Sequence, residues 1–580
     1  MSRLEPPRPD PKDSPLLDHV KDQYVTGKIS RRDFVRYATL LGMSLGAAGT
    51  FLAACGGDDE PTAVEQTPTT GTTEVQGTPK RGGRYRIAMS ILEVDHPHRL
   101  SWVQGSNVLR QVNEYLTYTD REGVTTPYLL ESWEPNETAD VWTLNLRQGV
   151  MFTNGQEFDA DDVLFNFQSW FSEDVGSSML GLLAPYMTLD GVEKVDNYTV
   201  RLNLEVPQIA LPEHLYHYPA QILHKSFEAP DVEGGESIVA STVGTGPYLL
   251  EEYTVGSRAR VTRNPEYWRQ APDGEPFPYI DEIVWTDLGT EKSAAFSALQ
   301  SRQVDSVYQP GPEGASALQD IPGIQIAQIP TAQTPLIRMR VDKEPFTDKN
   351  VRNAFKILQN RQEMGNTAYF GAVDLGHDAH FAPANQDYVE KPIPAQDVEA
   401  AKQLLADSEA WQAWGGKPIR IIAKNDTRFE QVIAEVFQRN AAPAGVEIEL
   451  DIRPATEYWP RWNHYDFSVT EWTHRPLNTM VQSLAYSREA LPPDEESGNW
   501  NESRWVNEEF LSLLAEADAT PDLEERLGLI SQMEDIQADD GGIMVAFFRN
   551  QFQIDAPKVK NNVGHPTDYL QVTESWIEEA

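Results

Sequence analysis

One cysteine in a chain of 580 residues, Cys55, closes the run Leu52-Ala53-Ala54-Cys55 at the end of a long apolar stretch that an arginine pair introduces. With no second cysteine, an intramolecular disulfide is impossible. A core cysteine would lie among apolar residues, whereas this one is followed by GGDDEPTAVEQTPTTGTTEVQGTPKRGG. That composition leaves almost nothing to bury, so residues 56–82 read as a flexible tether. The body beyond it, residues 83–580, is too long for one ordinary core and is expected to divide into two lobes or more. A hydrophobic fraction of 40% and an aromatic fraction of 10% are those of a folded body. The formal charge of −41 argues against nucleic acid, which is bound through clustered Lys and Arg.

Upstream of Cys55 the segment SRRDFVRYATLLGMSLGAAGTFLAAC carries Arg31 and Arg32, then a small-to-apolar stretch from Ala38 to Ala54. A charged region, an apolar region and a small-residue cleavage site make an export signal, and the arginine pair marks the twin-arginine route. A membrane-spanning helix would want about 20 continuous apolar residues. The end of the segment resembles a lipoprotein box, which implies cleavage before Cys55 and lipidation of its sulfur. The expectation is a lipid-anchored protein of the cell envelope, on its periplasmic or extracellular face.

Along the body, strand-like and helix-like segments alternate without a fixed repeat. Arg84 to Ala88 alternates as a strand, and Ser106 to Leu116 has helical spacing of Val108, Leu109, Val112 and Leu116. Trp142, Leu144 and Leu146 alternate before turns at Gln148-Gly149 and Thr153-Asn154-Gly155. A helix starts at Asp159 or Ala160, with Asp161 and Asp162 in its first turn and Val163, Leu164, Phe167 and Trp170 on its apolar face. The class is therefore α/β, mixed α+β.

The block from Thr126 to Phe167, TPYLLESWEPNETADVWTLNLRQGVMFTNGQEFDADDVLFNF, resembles the signature region of the family 5 extracellular solute-binding proteins of ABC importers. Further matches run through Val243 to Trp268, Phe296 to Val307 and Glu344 to Met364. Most of these residues read as scaffold. Gly149, Gly155, Gly244 and Gly246 suit turns or close chain approach, and Val351, Phe355 and Leu358 form an inward helix stripe. The resemblance implies a two-lobe, type II periplasmic-binding-protein-like fold that closes over a solute. It implies lobe I over residues 83–334, with an extra subdomain at about 126–239, lobe II over 335–547, and a return to lobe I over 548–580.

The resemblance also directs attention to the end of Asp466-Phe467-Ser468-Val469-Thr470-Glu471-Trp472. In the family's peptide binders an aspartate soon after that tryptophan receives the peptide's amino terminus. Here the chain continues Thr473-His474-Arg475-Pro476-Leu477, with no acid before Ser487. Arg475 would repel an ammonium group, and its planar fork suits a carboxylate or phosphate. The alternative is a pair between Arg475 and an internal acid such as Glu471 or Asp466. Trp472 is a stacking face or core, and His474 shares the position. Where the family's first strand ends at the cleft, His96, Arg99 and Trp102 are further candidates for ligand contact. Trp459, Trp462 and Trp472 favour a flat or sugar face, and Arg475 an acidic group.

Catalytic readings find little support. The G-x-S-x-G match, Gly42 to Gly46, lies inside the export signal. Gly244-Thr245-Gly246-Pro247 lacks the rest of a dinucleotide loop, and no H-E-x-x-H occurs. The pairs His96/His98 and His214/His217 fall short of a metal site, so neither a metal nor a cofactor is expected. Three classes remain: a solute-binding protein that hands its cargo to an ABC permease and ATPase; a secreted carbohydrate-binding or carbohydrate-active protein; and a surface receptor on the same fold. The first is the reading adopted, with the protein acting as a monomer.

Overall fold

In the computed structural model the described residues are 77–578, apart from 101, 232–236, 426–427, 489 and 493–499. Arg31, Arg32, Cys55 and most of the proposed tether lie outside them. No helix of the described residues is long and apolar enough to cross a membrane.

Two large sheets organise the body. The first has seven strands, in the order Gln325–Ile329, Gln551–Asp555, Ser306–Val307, Arg84–Ala88, Glu282–Thr286, Arg258–Arg263, Tyr248–Thr254. Arg84–Ala88 runs parallel to both neighbours, and the remaining pairs are antiparallel. The second has five strands, in the order Ile448–Arg453, Ile419–Lys424, Phe467–Trp472, Thr334–Met339, Ile543–Met544. Mixed pairing with interleaved helices is the α/β character that the alternation of segments implied.

The chain leaves the first sheet after Ile329 and enters the second at Thr334; it returns after Phe547–Arg549 to Gln551. These two crossing segments are tied to one another. Thr331 Oγ1 donates to Arg549 O at 2.7 Å, Arg549 N to Gln333 O at 2.8 Å, and Thr334 Oγ1 to Phe547 O at 2.8 Å. A paired double crossing can flex while both cores stay intact.

A four-stranded antiparallel sheet, in the order Leu130–Pro135, Val141–Leu146, Thr199–Asn203, Val192–Asp196, forms the additional layer of the first lobe. Its strand Val141–Leu146 buries Trp142, Leu144 and Leu146 against the helix Ala160–Phe171 in one core with Val163, Phe167 and Trp170. Asp159 caps that helix in a reciprocal capping box with Asp162. Gly149 and Gly155 sit at φ +76° and +80°, the left-handed turn conformation their sequence context called for.

The helix expected over Ser106 to Leu116 is instead Val103–Leu109, capped by Arg110. The apolar residues read as a helical face are all buried. The backbone beyond Leu109 serves another segment: Gly246 N donates to Val112 O at 2.8 Å and Tyr248 N to Gln111 O at 2.9 Å. A Cβ on Gly244 would stand 2.0 Å from Val112 O, so the approach is open only to glycine.

Candidate functional site

The strand Phe467–Trp472 is central in its sheet, and a buried ion pair fixes its end. Arg338 Nε donates to Glu502 Oε2 at 3.0 Å, and Glu502 also accepts from Thr470 Oγ1 at 2.8 Å and Trp472 Nε1 at 2.9 Å. Trp472 is thereby a core residue, 5% exposed, with Trp462, Trp500 and His380 at its ring edges. Its indole is held in the scaffold and carries the loop Thr473 to Leu477 to the boundary between the lobes.

On that loop His474 is buried, and its Nδ1 accepts from Ala332 N of the crossing segment at 2.9 Å. A neutral ring then carries its proton on Nε2. Burial first, and then the neighbouring Arg475, lowers the His474 pKa to about 3.

Arg475 donates through Nη1 to Thr473 Oγ1 at 2.8 Å and to His474 O at 3.0 Å. Among the described residues it makes no ion pair. Glu471, the acid closest in sequence, is taken by Arg549 of the second crossing segment, so the internal pair with Glu471 is not formed. Arg475 and Thr473 border a narrow recess of about 10 Å³, room for about one water molecule, lined also by Ala332, His380, Ala382, Asn385, Asn478 and Val481.

Facing this loop, the first lobe supplies aromatic and histidine side chains. Tyr218 and Tyr569 lie within electrostatic reach of the Arg475 guanidinium. His214 and His380 are lowered to about 3 by burial and then by Arg475, and His217 well below its ordinary value by the same causes. His565 is likewise lowered by burial, then by His474 of the other lobe. The surroundings of Arg475 therefore bring together neutral imidazoles, tyrosines and a guanidinium, and the buried acids Glu213, Asp387 and Asp518 lie on neighbouring segments.

The lobes also touch directly. Ile209 N donates to Asp518 O at 2.9 Å, Gln386 Nε2 donates to Gly123 O, and Ala210 packs on Leu477 and Met480.

His96, Arg99 and Trp102 are not brought to the Arg475 group by any contact. His96 caps a short helical turn by accepting from His98 N, and its ring packs on Phe227. Arg99 pairs with Asp95 at the surface and donates to Val175 O. Trp102 is 65% exposed at the start of the helix Val103–Leu109. Trp459 lies over Lys424 and is 42% exposed. His214 and His217 stand out in the sequence only as a pair too small for a metal site, and Tyr218, His565 and Tyr569 carry no sequence signal; all five lie on segments far from Arg475 along the chain. Among the described residues no group of His, Cys, Asp or Glu could hold a metal ion.

Residues 125–489 match the family model of bacterial extracellular solute-binding proteins, family 5. The chain is similar to a probable ABC transporter periplasmic-binding protein, SapA, of Escherichia coli K12, with 26% identity over 344 residues, 56% of this chain and 61% of that protein. It is also similar to the dipeptide-binding protein of Escherichia coli K12, with 25% identity over 468 residues, 76% of this chain and 84% of that protein. Among solved structures it resembles an ABC transporter substrate-binding protein, CtaP, of Listeria monocytogenes, with a TM-score of 0.72 and 20% identity over 86% of this chain and all of that one. All three are named as binding proteins.

Proposed function

This chain belongs to the bacterial extracellular solute-binding proteins of family 5, and from that membership we propose that it captures an acid-bearing solute between its lobes for an ABC importer. The observation that carries the acidic preference is Arg475: a guanidinium at the lobe boundary, without an ion-pair partner among the described residues, where the loop carries no acid. A carboxylate or phosphate of the solute supplies the missing charge. Residues 83–334 with 548–580, and residues 335–547, act as the two bodies, flexing at the bonded crossing segments. Closure is stable only when the solute contacts both.

The dipeptide-binding relative makes a peptide-like cargo the natural comparison. The Arg475 loop disfavours an ordinary free amino terminus there, which leaves modified amino acids, blocked or conjugated peptides and other anionic conjugates. Delivery to a permease and its ATPase, export by the Arg31-Arg32 signal and anchoring through a lipid on Cys55 complete the reading. The test is mass spectrometry of the solute released from natively purified protein, followed by calorimetry with that solute on wild type and Arg475→Gln. An acidic solute whose binding weakens at least tenfold supports the proposal. A cationic or neutral solute bound equally by both proteins removes it.

A further inference from the structure

Arg110 caps the helix Val103–Leu109 in the first lobe and is 7% exposed. Its side chain makes one hydrogen bond, from Nη1 to Tyr216 Oη at 3.2 Å, while Nε and Nη2 are buried without partners. Among the described residues it makes no ion pair. Three rings enclose it: Tyr569 at 3.8 Å, Tyr115 at 4.9 Å and Tyr216 at 5.4 Å from its guanidinium carbon.

Arginine stays protonated in proteins, so this is a buried cation whose charge meets ring faces and one phenol oxygen. Ring faces satisfy part of the charge but accept none of the N–H donors left over, and an unmade buried hydrogen bond to a charged group is costly. Two further polar atoms nearby are in the same condition. Tyr308 Oη, in the field of Asp568, Arg110 and Tyr569, and Nδ1 of His217, in the field of both Arg110 and Arg475, are buried without partners. His217 thus feels a guanidinium of each lobe, and the Tyr569 ring, which lies on Arg110, also feels Arg475.

Resting on the proposal for Arg475, we infer that the solute is a diacid, with its second acidic group taken by Arg110 while Arg475 holds the first. Each lobe then contributes one cation. Without solute the two like charges oppose closure, and a solute with one acid leaves the second guanidinium buried without a counter-charge. A diacid turns repulsion between the lobes into attraction of each lobe for the same molecule, which makes closure depend on cargo chemistry. Tyr308 Oη supplies a further donor on the Arg110 side.

The experiment uses the full chain and matched probes: N-acetylglutamate against N-acetylglutamine, and straight-chain dicarboxylates of four to eight carbons against their monoamides. Binding is read by calorimetry on wild type, Arg110→Gln, Arg110→Lys and Arg475→Gln, with melting temperature as a fold control. The expected result is a best diacid at least tenfold tighter than its monoamide in wild type. In Arg110→Gln that ratio falls toward one, and Arg110→Lys restores part of it. Diacid and monoamide binding alike in wild type, no diacid binding below 10 mM, or Arg110→Gln keeping the full ratio would overturn the inference, a water molecule alone then filling the Arg110 donors. If Arg110→Gln does not fold, the wild-type ratio and Arg110→Lys decide. Loss of monoacid binding in Arg475→Gln with no diacid advantage in wild type would leave the Arg475 proposal standing and remove only this one.

Discussion

Replacing Arg475 by glutamine separates a binding residue from a structural one, because the two roles predict different changes in stability. In the solute-free protein the guanidinium makes two hydrogen bonds, at 2.8 Å to Thr473 Oγ1 and 3.0 Å to His474 O. The donor is charged, so their loss costs about 3–6 kcal/mol in total. Against this, burial disfavours the charged form, which has no acid to compensate it among the described residues, and removing an uncompensated charge returns a desolvation penalty of several kcal/mol. The two effects nearly cancel, leaving the melting temperature of the empty protein unchanged to within about 5 °C. Solute affinity falls. A charge-assisted hydrogen bond contributes about 1.5–3 kcal/mol, roughly 10–150-fold in Kd. Calorimetry with the co-purified solute and a thermal melt of the stripped protein give both numbers from one preparation. A fall beyond about 5 °C with unchanged affinity would refute the reasoning and make Arg475 part of the scaffold.

Glu502→Gln should destabilise the second lobe, by about 3–5 kcal/mol if the pair behaves as other broken buried pairs do, because Arg338 stays fully buried without its counter-charge; urea unfolding measures it, and a loss under about 1 kcal/mol would contradict the assigned network. Closure should also be proton-linked. Glu213 of the first lobe and Asp518 of the second are raised to about 7 by burial, and Asp387 adds to the shift of each. In an open form these acids return toward ordinary carboxylate values near about 4. Closing therefore takes up protons between about pH 4 and 7, and solute affinity should rise as pH falls from about 7 toward 5. Titration across that range with Glu213→Gln, which should flatten the profile, checks the sign; a steeper profile in the variant would contradict it. Cys55→Ser should abolish incorporation of labelled palmitate and move the protein to the soluble fraction, and retained label would remove the lipid anchor.

The sequence was most legible where local chemistry decides the outcome. Asp159 and Asp162 three residues apart foretold a capped helix, and the alternation of Trp142, Leu144 and Leu146 foretold a half-buried strand; both depend on neighbours within one turn or one pleat. The helix after Trp102 differs from its expected span at both ends, because whether the backbone at Gln111 and Val112 continues a helix depends on Gly246 and Tyr248, over 130 residues away. Arg475 stood out because a cation occupied a place where an acid was expected. Its choice between Glu471 and freedom was not legible, since Arg549, which claims Glu471, lies 78 residues from it. His214 and His217 were legible only as a pair too small to hold a metal, and Tyr218, His565 and Tyr569 carried no motif at all. They share the surroundings of Arg475 only because the chain crosses between lobes twice and its last segment returns to the first lobe.

The central claim is that the lobes close over an acid held at Arg475. A crystal structure of the protein with its co-purified solute tests it most directly. The account predicts a carboxylate or phosphate oxygen of the solute about 3 Å from an Arg475 nitrogen, with both lobes touching the molecule. A solute amine at that position, or an Arg475 turned to a carboxylate of the protein, would contradict it.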